Sequence, residues 1–359
     1  MPGMKVPVIL VGVGPQGIGH GRWWPRAGAR VTAVVDAEPT RAAEAARLLR
    51  ARSCQSLRDA LERVARPCIV DIVTPPATHL PLIVEALTGG AHVLVEKPVV
   101  MNPREVDTLR SAMRPGLMVC AMHNWLFEPP MLRALQWLER GDLGDLLHVH
   151  IAIVNGPDEP MLRTKGHWVH ALPGGRVGET LPHACYLLAR LFPAIEVKAA
   201  RLSKVLPYDW SPYDTLVAHL DGGNATASLF ITFAAARESI LIDFVGTRGQ
   251  CRIYLLEGFV ERTYLRSAAL GPTKRERLAT VLGQVTERAV ATVTGGWEYV
   301  SKRWVPGHLW IMRSMVRAIS GEGKAPVSLS EIERTVEMTD LVVRVGTAPR
   351  RQLPLRPRE

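Results

Sequence analysis

The stretch with the clearest chemical meaning is Gly12-Val13-Gly14-Pro15-Gln16-Gly17, which lies between a β-branched apolar run and a helical pattern. In that setting Gly12 permits a tight turn, Gly14 lets a pyrophosphate approach the backbone, and Gly17 allows a helix to pack closely on a strand. Pro15 suits a first helical turn, where its missing N–H is no loss. The free N–H groups of such a terminus attract an anionic group, so Gly12, Gly14, Pro15, Gln16 and Gly17 are expected to bind a dinucleotide. Asp36 ends the next apolar run, about twenty residues on, where a carboxylate accepts both ribose hydroxyls of an adenosine half. The same charge repels a 2′-phosphate, so NAD is expected over NADP. Arg41, able to reach a phosphate from the following helix, keeps NADP open, and a plain helix-capping role is the alternative for Asp36.

These residues require a scaffold. Apolar runs at 6–11, 31–35, 69–74, 92–95 and 118–122 alternate with helical patterns at 15–24, 40–51, 57–65, 79–87 and 103–113. That alternation predicts a doubly wound parallel sheet covered by crossover helices, with the domain taken as 1–122. After Asn124 the texture changes. A helix at 132–140 is followed by strand patterns at 146–154, 197–205, 215–220, 225–233, 239–245 and 251–257, several of them alternating apolar and polar. This predicts that 123–359 form an α+β domain with a large, mostly antiparallel open sheet. One face of that sheet would be left for a partner, hence an expected homodimer or homotetramer. A helical stripe at 273–293 (Leu278, Val281, Leu282, Val285, Ala289) is expected to pack on the domain, a lid or surface anchor being the alternative, and helices at 308–319 and 329–345 close the chain.

A chain of 359 residues suggests two domains, and 47% apolar with 22% charged residues is ordinary for a globular enzyme. No apolar run is long enough to span a membrane, and the start does not read as an export signal. Five scattered cysteines make a poor disulfide framework, so a reducing, cytoplasmic setting is expected. The net charge of +10 favours anionic partners, but no basic stripe or finger spacing accompanies it, and nucleic acid is not expected.

At the fourth strand the chain reads His92-Val93-Leu94-Val95-Glu96-Lys97-Pro98. With GVGPQGIGH at 12–20, TPPATH at 74–79, Asn124 after the fifth strand, LGDLLHV at 143–149 and GEGKAPVSLSEIE at 321–333, it resembles the glucose-fructose oxidoreductase, inositol dehydrogenase and rhizopine catabolism (Gfo/Idh/MocA) family. The resemblance covers most of the chain and implies a Rossmann domain, NAD or NADP as cofactor, and polyols, sugars or sugar nucleotides as substrates. It also places Thr74, Pro75, His79, Glu96, Lys97 and Asn124 at the cofactor, and implies that a cis bond often precedes the proline of the triplet. Lys97 takes the family's lysine role. Just past the carboxyl end of a parallel strand, its ammonium can hydrogen-bond a reacting oxygen.

The family's second motif, a Gly-Gly stretch followed by Asp, His and Asp, is altered here. The chain reads Gly174-Gly175-Arg176-Val177-Gly178-Glu179-Thr180-Leu181-Pro182-His183-Ala184-Cys185-Tyr186. His183 falls on the histidine, Glu179 on the first acid and Tyr186 on the second. Pro182 suits a helix start, which would put His183 near a positive helix end and keep it neutral, able to act as a base. A structural histidine is the rival reading. Trp168 and His170 precede the motif and are expected to line the substrate pocket; His167, His170 and His183 lack a nearby acid or cysteine at ligand spacing, so no metal is expected. The sequence thus predicts an NAD-dependent dehydrogenase of a carbohydrate-like secondary alcohol, with Lys97, His183 and Glu179 catalytic and also contacting substrate. The basic charge favours an anionic sugar nucleotide over a free polyol. Two rivals are an NAD-retaining glycosidase or lyase that works by transient oxidation, and a non-catalytic NAD-binding protein.

Overall fold

The computed structural model describes residues 5–264 and 306–349, together with scattered positions between 274 and 293. The first half is a six-stranded parallel sheet in the order β3-β2-β1-β4-β5-β6. Its strands are β1 (Val6–Val11), β2 (Ala29–Val35), β3 (Arg52–Ser53), β4 (Ile69–Ile72), β5 (His92–Val95) and β6 (Val119–Ala121). Between them run α1 (Pro15–Ala27), α2 (Pro39–Leu49), α3 (Leu57–Arg63), α4 (His79–Thr88) and α5 (Pro103–Ala112). Strands β4, β5 and β6 are buried along their whole length, as expected where helices cover both faces. The strand order reverses between β1 and β4, and the crevice outside their carboxyl ends is where such sheets take a ligand.

The second half is a seven-stranded sheet, β13-β12-β11-β7-β10-β9-β8. It comprises β7 (Leu146–Val154), β8 (Glu196–Ser203), β9 (Thr215–Asp221), β10 (Thr226–Thr232), β11 (Ser239–Gly246), β12 (Gly249–Tyr254) and β13 (Phe259–Tyr264). All its pairings are antiparallel except β7 with β10. Strand β11 alternates buried and half-buried residues throughout, the sign of a sheet covered on one side. After β6 come α6 (Pro129–Glu139), the short α7 (Pro160–Arg163) and α8 (Gly175–Leu191). The chain closes with α9 (Gly307–Ile319) and α10 (Leu329–Thr347), the latter begun by a Ser328–Glu331 capping box. Helix α10 packs on α8 and β8, whereas α9 returns to α1 of the first sheet.

Two expectations need correction. Pro182 lies inside α8, which starts at Gly175, so His183 is in mid-helix and the helix-end field cannot be what keeps it neutral. The helix begins earlier because Gly174 and Gly175 take positive φ angles of 78° and 60° and turn the chain into it. The expected helix over 273–293 lies partly outside the described residues; where described, Leu278, Val281, Leu282 and Val285 are helical and exposed rather than packed on the domain. The open face of the second sheet mixes polar and apolar residues, with Phe230, Leu241, Val245 and the exposed Val217 on the same side as a polar cluster. His148, His150 and Ser228 form hydrogen-bonded contacts across it, and Asp243 pairs with Arg252. No described helix is long and apolar enough to cross a membrane.

Candidate active site

The glycine loop leaves β1 at Gly12, whose φ of 88° suits only glycine and whose added Cβ would meet Val73 O at 2.4 Å. A Cβ on Gly17 would meet Gly12 O at 2.0 Å, while one on Gly14 would meet nothing within 4 Å. Gly17 is therefore pinned by packing and Gly14 borders open space, the arrangement a pyrophosphate needs. Pro15 is the first residue of α1. Asp36 accepts hydrogen bonds from Val13 N at 2.8 Å and Glu38 N at 2.9 Å, and Arg41 lies 3.4 Å from it. Its carboxylate thus ties the glycine loop to the turn before α2 rather than capping that helix, whose N-cap is Glu38 with no side-chain cap, and it stands at the end of β2 where an adenosine ribose would lie.

Between the two sheets lies a pocket of about 520 Å³. Gln16, Thr74, Pro75, Glu96, Lys97 and Asn124 line it from the first half, and Trp168, Arg176, Glu179, Thr180 and His183 from the second. The Lys97–Pro98 bond is cis. Lys97 Nζ donates to Glu179 O at 3.1 Å and to the Glu179 carboxylate. The other carboxylate oxygen of Glu179 takes Arg176, which also bonds Glu159 at 3.0 Å and lies 4.5 Å over the Phe233 ring. Burial works to raise the Glu179 pKa, but the Lys97 and Arg176 charges win and hold it below the ordinary value. Both cations lining the pocket are paired with glutamates, so the basic balance of the chain is not concentrated here.

His183 stacks face to face with Trp125, ring centroids 4.0 Å apart, and its Nδ1 lies 2.8 Å from Tyr186 Oη. Burial, then the charges of Lys97 and Arg176, push its pKa well below the ordinary value. The imidazole is neutral, as expected, although the cause is burial and nearby cations. Behind Glu96 lies a buried chain of charge. His20 Nε2 is 3.1 Å from Glu96 Oε1, its Nδ1 is 3.1 Å from Asp71 Oδ2, and Trp24 Nε1 donates to Asp71 at 2.7 Å.

Of the predicted site residues, Gly12, Gly14, Pro15, Gly17 and Asp36 flank the pocket without lining it, and His79 and His170 turn elsewhere. His79 is fully buried, with its ring nitrogens 2.8 Å from Pro98 O and 2.8 Å from Thr74 O, so it braces the loops on which Thr74 and Lys97 sit. His170 turns back to Thr164 O at 3.1 Å, while Trp168 in the same short turn faces the pocket. Nor do His167, His170 and His183 converge; among the described residues the trio whose ligand atoms approach within 4.8 Å is His20, Glu96 and His308, and both His20 nitrogens already face carboxylates. Sequence reasoning missed Arg176, Trp125 and His308, the last 3.3 Å from Gln16 Nε2. Arg176 lay in plain view inside the second motif; nothing local marks the other two.

Residues 6–120 match the description "Oxidoreductase family, NAD-binding Rossmann fold", and residues 131–252 match the "GFO/IDH/MocA C-terminal domain". Glycosyl hydrolase family 109 protein 2 of Shewanella sp. (strain ANA-3) is 31% identical over 166 residues, 42% of this chain and 36% of that protein. The match therefore takes in about a third of that relative's length. UDP-N-acetylglucosamine 3-dehydrogenase GnnA from Acidithiobacillus ferrooxidans aligns with a TM-score of 0.72 at 19% identity, over 96% of this chain and 99% of its own. Levoglucosan dehydrogenase, in complex with NADH and levoglucosan, aligns with a TM-score of 0.74 at 17% identity, over 96% and 97% of the two chains. At such identities the structural likeness is one of fold. With both halves matched and the glycine loop and lysine triplet at one pocket, the chain belongs to the Gfo/Idh/MocA oxidoreductase family, whose first domain is an NAD-binding Rossmann fold.

Proposed function

We propose that this protein is an NAD-dependent dehydrogenase that moves a hydride between nicotinamide and a secondary alcohol carbon of a sugar, polyol or sugar-nucleotide-like substrate. The observation that carries this reading is the meeting of Lys97 and His183, far apart in sequence, in one pocket that continues from the dinucleotide loop. In this reading residues 1–122 bind the cofactor and 123–359 supply the substrate site and the contacts of a homo-oligomer. Asp36, bearing on the adenosine ribose, favours NAD over NADP.

The bound nicotinamide supplies a hydride acceptor or donor. The rest falls to the chain's own groups. An ammonium has three donors; Lys97 gives two to Glu179, leaving one for the reacting oxygen. His183, neutral at physiological pH, takes the hydroxyl proton as the alcohol is oxidised and returns it in the reverse direction. Glu179 holds Lys97 in place, and Trp168 offers an apolar wall to a sugar ring. The paired state of Lys97 and Arg176 removes the earlier preference for an anionic substrate, so neutral sugars and polyols stand level with sugar nucleotides.

The glycosyl hydrolase family 109 relative supports a second reading, in which the protein keeps its cofactor and cleaves a glycosidic bond by transient oxidation. The test is titration of the purified protein with NADH and NADPH, followed by nicotinamide fluorescence. Saturable NADH binding tighter than NADPH binding is expected; binding to neither, with no dinucleotide carried through purification, removes both readings.

A further inference from the structure

We infer that Tyr186 is a positioning residue that fixes the tautomer of His183, presenting a proton-free Nε2 to the pocket. The inference rests on His183 being the proton acceptor of the proposed reaction. It comes from counting what one oxygen can do. Tyr186 Oη has three neighbours: the backbone N of Trp125 at 3.1 Å, Asn124 Oδ1 at 3.4 Å and His183 Nδ1 at 2.8 Å. A phenol offers one proton and two lone pairs. The Trp125 amide can only donate, so it occupies one lone pair. Asn124 Oδ1 can only accept, so it takes the phenol proton. What remains for His183 is a lone pair, so Nδ1 must carry the hydrogen. A neutral imidazole has one N–H, and Nε2 is therefore bare.

The surroundings hold this arrangement still. Tyr186 is 1% exposed and stacks on the His123 ring at a centroid distance of 4.3 Å, with 19° between the planes. Trp125 supplies both the amide that orients Oη and the indole stacked on His183. Among the described residues His183 Nε2 has no hydrogen-bond partner, and its ring lines the pocket. Burial keeps the Tyr186 hydroxyl protonated. A carboxylate here would also hold the imidazole by Nδ1 and stabilise its charged form. A phenol gives the orientation without the counter-charge, so His183 is set to receive a proton and pass it on, not to store it.

The direction of the chain depends on which way the Asn124 amide faces, and the two orientations predict opposite tautomers. The full-length protein, labelled with 15N-histidine, would be examined by long-range 1H–15N correlation, with His183 assigned by its loss in His183→Asn. The expected pattern is a protonated Nδ1 and a bare Nε2. Tyr186→Phe, which keeps the stack on His123, should abolish that pattern while the other histidines stay in place. Asn124→Ala removes the acceptor and should turn the phenol proton onto Nδ1, reversing the tautomer even if Tyr186→Phe does not fold. A protonated Nε2 in the wild type, or an unchanged His183 pattern in both variants, overturns the inference. The measurement needs neither cofactor nor substrate. The predicted tautomer without NADH binding would remove the dehydrogenase reading alone; turnover with a protonated Nε2 would remove this inference alone.

Discussion

Replacing His20 with asparagine would test the charge cluster that supports Glu96, the neighbour of Lys97. Burial opposes a charge on His20, yet Asp71 and Glu96 outweigh it and hold the pKa at about 10. An unfolded histidine titrates near 6.5. Below about pH 6.5 folded and unfolded chains both carry the proton, and the stabilisation is fully present. Above that value only the folded chain keeps it, so the unfolding free energy falls by about 1.4 kcal/mol per pH unit and the contribution is gone once the pH passes about 10. In His20→Asn, Asp71 retains only Trp24 as a side-chain partner, and Glu96 retains only Gln16, 3.5 Å away. Removing one partner of a buried charge pair costs about 3–5 kcal/mol. Urea unfolding of wild type and variant should differ by that amount near pH 6.5, and the gap should close at about 1.4 kcal/mol per unit as the pH rises. A gap below about 1 kcal/mol, small beside the usual cost of a broken buried pair, or curves that stay parallel across the window, would refute a doubly paired imidazolium. Glu96 gives the opposite acid-side signature. Although burial opposes its charge, His20 holds its pKa down at about 2, so its contribution is present above its ordinary pKa of 4.5 and lost as the pH falls toward 2.

Other perturbations separate binding, catalysis and stability. Lys97→Met and His183→Asn should lower kcat by about 10²–10⁴ and leave NADH affinity largely intact; parallel losses of both would show that these residues only hold the cofactor. Asp36→Ala removes charge-assisted hydrogen bonds worth about 1.5–3 kcal/mol, so NADH binding should weaken by roughly ten- to hundredfold, with NADPH affected less. Equal effects on the two cofactors would restrict Asp36 to organising the loop. Arg176→Met leaves Glu159 without its guanidinium and Glu179 with Lys97 as its one cation beside the Thr180 hydroxyl. It should destabilise the protein by about 3–5 kcal/mol, seen as a Tm lowered by several degrees, and an unchanged Tm would show the network to be energetically idle.

The first domain was legible because its chemistry and its scaffold carry local signals. Buried parallel strands read as continuous apolar runs, and the loop at Gly12–Gly17 announces its own backbone geometry. The second domain was legible as a succession of strands. β13 was missed because Glu261 and Arg262 interrupt its apolar residues, and the start of α8 was misplaced because its glycines and Pro182 read locally as breakers although burial holds the helix intact. Most of what orients the pocket lies beyond local patterns. Asp71 looks like a stray acid in an apolar strand until His20 is seen beside it, and Trp125 meets His183 only through the packing of α8 against the turn at Asn124. Pairing of Lys97 and Arg176 with acids takes away the ground for a substrate preference drawn from net charge, because net charge says nothing about where counter-charges lie.

The most direct test of the account is NADH formation by the purified protein given NAD and a panel of sugars, polyols and sugar nucleotides, with Lys97→Met alongside. Formation of NADH in step with oxidised product by the wild type, and its loss in the variant, is the predicted result. Product formed by glycosidic cleavage with no net NADH, or turnover untouched by Lys97→Met, would contradict hydride transfer to NAD at this pocket.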